Sequence, residues 1–165
     1  MIASHVDMME KQLSGGQKTC QREQVFRSLS LPNDVQAVPQ LAQYVDEICE
    51  ALDFDMSLTM QMNLALEEAV VNVMNYAYPA DVHGDLKVDA LCSEGQLKFI
   101  ITDSGIPFDP TAVEKVDTSL PVEERPIGGL GIFLVDKLMD SIGYQRVGDK
   151  NILTLSKKLD CNKIR

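Results

Sequence analysis

The sequence predicts an α+β fold in which three helices cover one face of a sheet. Two periods in the hydrophobic pattern support this prediction. Apolar residues recur at helical spacing between residues 38 and 76, and the period changes to two from Gly84 onward. The resulting order, β-α-α-β-β-loop-α-β-β, is typical of a two-layer α/β sandwich with a mostly antiparallel, mixed sheet.

The first strand and the first two helices are predicted from local signals. The segment "QVFRSLSL" alternates apolar and polar residues, as a strand does. Asn33 or Asp34 can cap the helical pattern "VQAVPQLAQYVDEICEAL", and Pro39 fits the first turn of that helix. Ser57 is expected to cap the second helix, which ends before Pro79.

The rest of the chain predicts two hairpins, a long loop and a third helix. The strands "DLKVDALC" and "QLKFIITD" are joined at "SEGQ", where Gly95 suits a hairpin turn. Residues 106–128 contain four prolines and no sustained period, which predicts a long loop of the kind that is usually functional or disordered. A glycine-rich loop and helix follow in "GGLGIFLVDKLMDSIG", and "YQRVGDKNILTLSKKL" predicts a final hairpin that turns at "GDKN".

Length and composition indicate one globular domain. The 165 residues are 45% hydrophobic and 24% charged, and no apolar run approaches the roughly 18 residues that predict a membrane span. Residues 1–22 are polar and lack a clear period, so we expect a flexible arm before a domain of residues 23–160 and a tail of residues 161–165. Because the N-terminus lacks the basic end and apolar core of a signal peptide, a cytoplasmic location is expected.

Charge and cysteine spacing argue against several kinds of site. The net charge is −10, and the stretch from Ser28 to Leu86 holds ten Asp or Glu residues and no Lys or Arg. Binding to a phosphate backbone needs clustered cations, so no direct nucleic-acid binding is expected. The acidic surface suits a basic protein partner or serves solubility alone. Four distant cysteines and two histidines form no zinc pattern and predict free thiols in a reducing compartment.

The second helix, around "ALEEAVVNVMNYAYP", carries an unusual polar stripe. Glu68, Asn72 and Asn75 are spaced i, i+4 and i+7, so they share one helix face. The opposite face is predicted to enter the core, through Met62, Leu66, Ala69, Val70 and Val73. The stripe is either a solvated back of the helix or a site in which a carboxylate acts as base and an amide oxygen binds a hard cation such as Mg²⁺.

A second motif lies in "IITDSGIPFDP", where Asp103 ends an apolar strand and Gly105 permits close approach of backbone or ligand. An Asp-Ser-Gly turn explains this pattern without a ligand. The alternative is that the carboxylate accepts a hydrogen bond from an exocyclic amine, such as that of adenine.

A third motif is the glycine-rich stretch "IGGLGIFLV". Gly128, Gly129 and Gly131 immediately precede the predicted helix, where free backbone N–H groups can bind an anion. Tight packing at a helix start explains the same glycines. No Lys-Ser or Lys-Thr follows, as a P-loop requires, and the third glycine and preceding strand of the dinucleotide fingerprint are absent.

The order of the three motifs resembles the GHKL ATPase superfamily. E-x-x-x-N on a helix, D-x-G after a strand and G-x-G opening a helix are similar to its N, G1 and G2 boxes, and the intervening loop corresponds to its ATP lid. The resemblance covers residues 23–160. Within the superfamily, "EEAVVNVMNYAY" and "GGLGIFLVDKLMD" look most like the anti-sigma-factor serine kinases of bacterial switch modules.

The resemblance implies ATP and Mg²⁺ as cofactors and a role for each motif. By this similarity Glu68 is the catalytic base, Asn72 is the Mg²⁺ ligand and Asn75 lies near the phosphates. Asp103 reads the adenine amino group, and Gly105 makes room for the adenine ring.

The lid and the last strands complete the implied site. Relatives often carry a basic residue directly before the glycines. In this sequence the nearest cation is Arg125, which either reaches the nucleotide from the lid or is a solvated loop residue. Relatives often carry a hydroxyl on the last strands at the adenine side of the site. In this sequence Asn151 and Thr154 are the candidates for that position. The glycines that would let the lid and helix wrap the phosphates are Gly128, Gly129 and Gly131.

The implied reaction moves the γ-phosphoryl group of ATP to a Ser or Thr hydroxyl of an anti-anti-sigma partner. The same or an overlapping surface would bind a sigma factor when that partner is phosphorylated. The displaced basic residue motivates a second hypothesis, a non-enzymatic ATP-binding partner-switch module that regulates by protein binding only. The sequence leaves the oligomeric state open, although the resemblance points to a homodimer.

Overall fold

A computed structural model describes residues 25–112 and 129–160 of the chain. Five strands form one sheet in the order β1-β2-β3-β5-β4. Their bounds are β1 Val25–Pro32, β2 Asp85–Ser93, β3 Gln96–Asp103, β4 Ser141–Val147 and β5 Lys150–Lys158. All four pairings are antiparallel, so the mostly antiparallel sheet is confirmed, and the described strands include no parallel pair.

Three helices complete the predicted order of elements: α1 Val38–Ala51, α2 Met56–Tyr76 and α3 Gly129–Leu138. Short 3-10 turns precede α1 and follow β3 at Val35–Ala37 and Pro110–Ala112. The predicted arm, tail and residues 113–128 of the loop lie outside the described residues, so these three predictions stay predictions.

The helix starts agree with the sequence in one case and correct it in another. Pro39 lies in the first turn of α1, as predicted. Asp55 caps α2, because its carboxylate accepts a hydrogen bond from the N–H of Leu58 at 2.7 Å. The predicted cap at Ser57 is therefore wrong, since that residue already lies inside the first turn of α2.

Both predicted hairpins are present. The turn between β2 and β3 places Glu94 and Gly95 at φ 50° and 72°, the left-handed conformations that a two-residue hairpin turn needs. Gly148, at φ 60°, begins the turn between β4 and β5.

The core lies between the sheet and the helices, and α2 contributes its predicted face in full. Every residue of that face is buried: Met62, Leu66, Ala69, Val70 and Val73. Buried and partly exposed residues alternate along β3, so its core-facing positions are Leu97, Phe99, Ile101 and Asp103. The same alternation that buries three apolar side chains therefore carries Asp103 into the helix-covered side of the sheet.

Two further predictions can be compared with the described residues. Cys49 and Cys92 are buried and form no disulfide, and burial raises the pKa of the Cys49 thiol to about 11, which keeps it protonated at neutral pH. Cys20 and Cys161 lie outside the described part of the chain.

Across residues 25–112 and 129–160, no helix has the length and apolar character needed to cross a bilayer.

Tyr44 joins α1 to the sheet through its hydroxyl, which donates to the carbonyls of Arg27 at 2.9 Å and Val88 at 3.0 Å. We expect Tyr44→Phe to lower the free energy of unfolding by about 1 kcal/mol, because it removes this buried donor. Urea denaturation at pH 7 measures the difference. Tyr76→Phe is the control, since the Tyr76 hydroxyl has no hydrogen-bond partner among the described residues and its loss should leave the midpoint unchanged.

The same hydroxyl predicts a pH dependence. Burial, and then the negative charge of Asp89, raise the pKa of Tyr44 above its ordinary value of 10. The unfolded chain therefore loses this proton first, so the stabilisation is complete below pH 10 and declines as the pH rises above it. Unfolding midpoints measured from pH 8 to about pH 11 should fall less steeply for Tyr44→Phe than for the wild type. Equal slopes would contradict the assignment.

Candidate functional site

The three sequence motifs meet where the end of β3 and the start of α3 approach α2. The turn after β3 packs against the residue that follows α2, because the N–H of Ile106 donates to the carbonyl of Ala77 at 2.7 Å. A side chain at Gly105 would collide with the same carbonyl, so this close approach requires glycine. Gly131 of α3 lies against Glu68 and Asn72. The structure thus brings Gly131 to the polar stripe of α2, and Gly105 to the residue that follows this helix.

Asp103 is a buried carboxylate with one oxygen engaged. Its side chain is 3% exposed, and Oδ1 accepts hydrogen bonds from the N–H of Gly105 and from Nδ2 of Asn151, both at 2.8 Å. Its other oxygen, Oδ2, receives no hydrogen bond from a described residue. The group is held rigidly and retains one acceptor for an external donor.

Asn151 holds Asp103 in place and is itself fully engaged. Its Nδ2 also donates to the carbonyl of Ile106 at 2.8 Å, and its Oδ1 accepts from the Tyr144 hydroxyl at 2.7 Å and from Nη1 of Arg146 at 2.9 Å. Of the two candidates on the last strands, Asn151 is therefore at the site. Thr154 pairs with Ile100 and lies on the other face of the sheet.

The polar stripe of α2 is buried at its centre and exposed at its end. Asn72 is only 8% exposed, and its Nδ2 donates to the carbonyl of Glu68 at 2.7 Å, which fixes the orientation of the amide. Oδ1 of Asn72 accepts nothing from a described residue. Glu68 is partly exposed and Asn75 is exposed. Burial therefore argues against a solvated helix back at Asn72, whereas the exposed Asn75 is compatible with either alternative.

The glycine-rich motif lies closer to the helix than predicted. Gly129 and Gly131 form the first turn of α3 instead of preceding it. A Cβ atom at Gly131 would lie 2.5 Å from Oε2 of Glu68 and 2.9 Å from Nδ2 of Asn72. The absence of a side chain lets the first turn of α3, whose backbone N–H groups have no partner within the helix, approach the stripe. Gly128 and Arg125 lie outside the described residues, so their roles stay predictions.

Comparison with known proteins identifies the family. The model of the histidine kinase-like ATPase domain matches residues 31–157, which is more than half of the chain. The chain belongs to this family. The predicted family resemblance is thereby confirmed, and the nucleotide of an ATPase domain is ATP.

Individual relatives agree with this membership. Proteins named Serine-protein kinase RsbW from Bacillus cereus (strain AH820) and Bacillus anthracis (strain CDC 684 / NRRL 3495) are each 35% identical over 101 residues. The match covers 59% of this chain and 61% of each relative, so the chain matches less than two thirds of their length. A crystal structure of RsbU and RsbW domains from Mycobacterium tuberculosis shares the fold, with a TM-score of 0.59 and 17% identity over 82% of this chain and 32% of that chain.

The oxygen atoms available in this ATPase domain suit a Mg²⁺ ion that is coordinated mainly by the phosphates of a nucleotide and by water. The described residues include no group of three or more His, Cys, Asp or Glu side chains placed to hold a metal. A Mg²⁺ ion needs few protein oxygens when phosphates and water complete its octahedral shell. The unengaged Oδ1 of Asn72 is the donor that fits such a site.

Sequence reasoning missed several side chains that shape the candidate site. Tyr144 and Arg146 fix Asn151, and Arg146 also donates to the carbonyl of Gly105 at 2.9 Å. The rings of Tyr76 and Phe108 stack with centroids 5.3 Å apart, which ties the loop after β3 to the end of α2. Strand alternation places residues 144 and 146 on one face, but only the pairing of β4 with β5 shows that they reach Asn151.

Tyr78 supports the turn that contains Ser104. Its hydroxyl accepts from the N–H of Ser104 at 3.1 Å and donates to the carbonyl of Asp85 at 3.0 Å. Burial raises the pKa of Tyr78, so the hydroxyl remains a donor at neutral pH. The start of β2 and the turn after β3 are thereby held together next to Asp103.

Gly131→Ala tests the close approach of α3 to the stripe. We expect the added methyl group to displace Glu68 or Asn72 and to weaken ATP binding by about tenfold or more, which corresponds to about 1.4 kcal/mol. Calorimetric titration with ATP and Mg²⁺ measures the affinity. Gly143→Ala is a matched control, because a Cβ at that position meets nothing within 4 Å. Equal affinities for the two variants would contradict the proposed packing.

Proposed function

We propose that this chain is a serine/threonine protein kinase that uses ATP and Mg²⁺ to phosphorylate an anti-anti-sigma protein. The observation that carries the proposal is the buried Asn72, whose amide is fixed with one free oxygen beside the carboxylate of Glu68. The relatives named Serine-protein kinase RsbW support the same reaction class.

The adenine end of the nucleotide would lie at Asp103. Its free Oδ2 can accept a hydrogen bond from the exocyclic amine of adenine, whereas guanine presents a carbonyl oxygen at the corresponding position. Asn151 and the N–H of Gly105 prevent the carboxylate from rotating away. The small Gly105 leaves space for the flat face of the base.

The phosphates would lie between α2 and the start of α3. In this arrangement Oδ1 of Asn72 would hold Mg²⁺, and the ion would supply neutralisation of phosphate charge. Backbone N–H groups near Gly129 and Gly131 face the phosphate oxygens. We include Asn75, Gly128 and Arg125 in the phosphate-binding set as proposals, with Arg125 reaching in from the lid.

Glu68 would act on the acceptor. Its carboxylate has no hydrogen-bond partner among the described residues and borders the proposed phosphate site, so it is placed to orient an incoming hydroxyl. In the transfer the bond from the γ-phosphorus to the bridging oxygen breaks and a bond to the Ser or Thr oxygen forms. The hydroxyl proton passes to Glu68, and ADP leaves with the electron pair.

Glu68→Gln tests the base. We expect the rate of phosphotransfer to a purified anti-anti-sigma protein of the same genome to fall by about 10²- to 10⁴-fold, because general acid–base catalysis supplies a factor of this size. ATP affinity should change little, since the amide has the same shape. Radiolabelled ATP measures transfer, and Glu94→Gln, in the β2–β3 turn, is the control that should retain the wild-type rate.

Two results would overturn parts of this proposal. Transfer by Glu68→Gln at the wild-type rate would show that another group serves as base. ATP binding without transfer by the wild-type protein would instead support a non-enzymatic partner-switch module.

Asp103→Asn tests the adenine end. We expect ATP affinity to fall about 10- to 100-fold, because a hydrogen bond to a charged group contributes about 1.5–3 kcal/mol. GTP affinity should stay the same, so the ratio of the two affinities measures the loss of base recognition. A parallel loss of both affinities would indicate a collapsed site.

The proposal extends to partner switching. A sigma factor would bind the same or an overlapping surface when the anti-anti-sigma protein is phosphorylated, and the active form would be a homodimer. Sedimentation of the chain with ATP tests for the homodimer, and sedimentation with an added purified sigma factor tests for the complex.

A further inference from the structure

Three apolar side chains form an exposed line on α2 outside the proposed ATP site. Met56, Met60 and Leu64 are 72%, 66% and 41% exposed, and their spacing of four residues places them along one side of the helix. We refer to these three residues as the methionine stripe. The core face of α2 points away from it into the sheet, so packing within the described chain does not account for this exposure.

Two residues of the methionine stripe, Met60 and Leu64, line a groove of about 550 Å³ on the outer surface of α2. On the side of the groove that faces α1, Nδ2 of Asn63 donates a hydrogen bond to Asp46 of α1 at 2.7 Å. The groove is lined by Ser57, Met60, Gln61, Asn63, Leu64 and Glu67. Methionine side chains are flexible and polarisable, and such surfaces often receive apolar side chains of a protein partner.

The stripe is continuous with the site in the direction in which the acceptor must arrive. Asp103 lies near Ala77 at the C-terminal end of α2, whereas Gly131 meets Glu68 and Asn72 near the middle of that helix. A nucleotide with its base beside Asp103 and its phosphates beside Gly131 would point its terminal phosphate towards the N-terminal half of α2. Leu64 is one turn beyond Glu68, about 6 Å along the axis, and Met60 is about 12 Å beyond it.

We propose that the methionine stripe is the docking surface for the protein that donates the acceptor hydroxyl. This inference rests on the proposed kinase function. A protein whose Ser or Thr reaches Glu68 must cover the adjacent outer surface of α2, and the methionine stripe is the apolar part of that surface.

Charge specifies the partner further. Four exposed acidic residues lie on α1 and α2: Asp46, Glu47, Glu50 and Glu67. No Lys or Arg occurs from residue 28 to residue 86, which includes the whole of α1 and α2. The docking partner therefore presents apolar side chains beside its acceptor hydroxyl and Lys or Arg residues around them.

Met60→Ser and Leu64→Ser test the proposal in the full-length chain. The acceptor is the anti-anti-sigma protein of the phosphotransfer assay. We expect each substitution to raise the KM for this protein by about tenfold, while ATP affinity stays within about twofold of the wild type. The conservative Met60→Leu should keep the wild-type KM. Because these side chains are exposed, the variants should fold normally, which unfolding midpoints will verify.

Val147→Ser is the matched control, since Val147 is 57% exposed and lies on the sheet face away from the helices. It should leave the KM unchanged. Charge complementarity predicts in addition that the KM of the wild type rises as sodium chloride increases from about 0.05 to 0.5 M, because salt screens attraction between exposed charges.

The outcomes separate this proposal from the function on which it rests. Absence of phosphotransfer by the wild type would overturn the kinase function itself. Normal transfer with an unchanged KM in both serine variants would overturn only the docking surface. A change of oligomeric state in those variants, with the KM unchanged, would show that the stripe contacts a second copy of the chain and would also overturn the proposal.

Discussion

The packing of α2 against the sheet determines the direction of the polar groups on that helix. Eight apolar side chains of α2 are buried, and the helix cannot rotate without exposing some of them to water. This constraint turns Glu68 and Asn72 towards α3 and leaves the methionine stripe on the outer surface. The proposed site and the proposed docking surface are thus two consequences of one buried face.

Glycines and short polar contacts hold the turn after β3 and the start of α3 close to α2. Gly105 and Gly131 let the turn after β3 and the first turn of α3 approach α2 more closely than any side chain would allow. The pair of Asp103 and Asn151 is buried, and its hydrogen bonds leave a single free carboxylate oxygen. Burying the amide of Asn151 is costly unless its polar atoms are paired, and Tyr144 and Arg146 provide the partners of its oxygen.

Much of the fold and part of the site could be predicted from sequence, because these features depend on local patterns. Helical spacing identified the core face of α2, and strand alternation placed Asp103 at a buried strand end. The cap of α2 was mispredicted because Asp55 and Ser57 are both good capping residues and lie two positions apart. The start of α3 was misplaced because glycine is a poor helix former, whereas here its small size permits the contact with Glu68 and Asn72.

The sequence by itself determined the order of the elements, the buried face of α2 and the three motifs, since each follows from residues close together in the chain. Only the tertiary structure decided which distant residues join them. Asn151 meets Asp103 across 48 positions because β5 pairs with β3 in one register, and a shift of one residue would send Asn151 to the opposite face of the sheet. The exposure of the methionine stripe was likewise decided by packing, because apolar side chains at helical spacing are normally expected in a core.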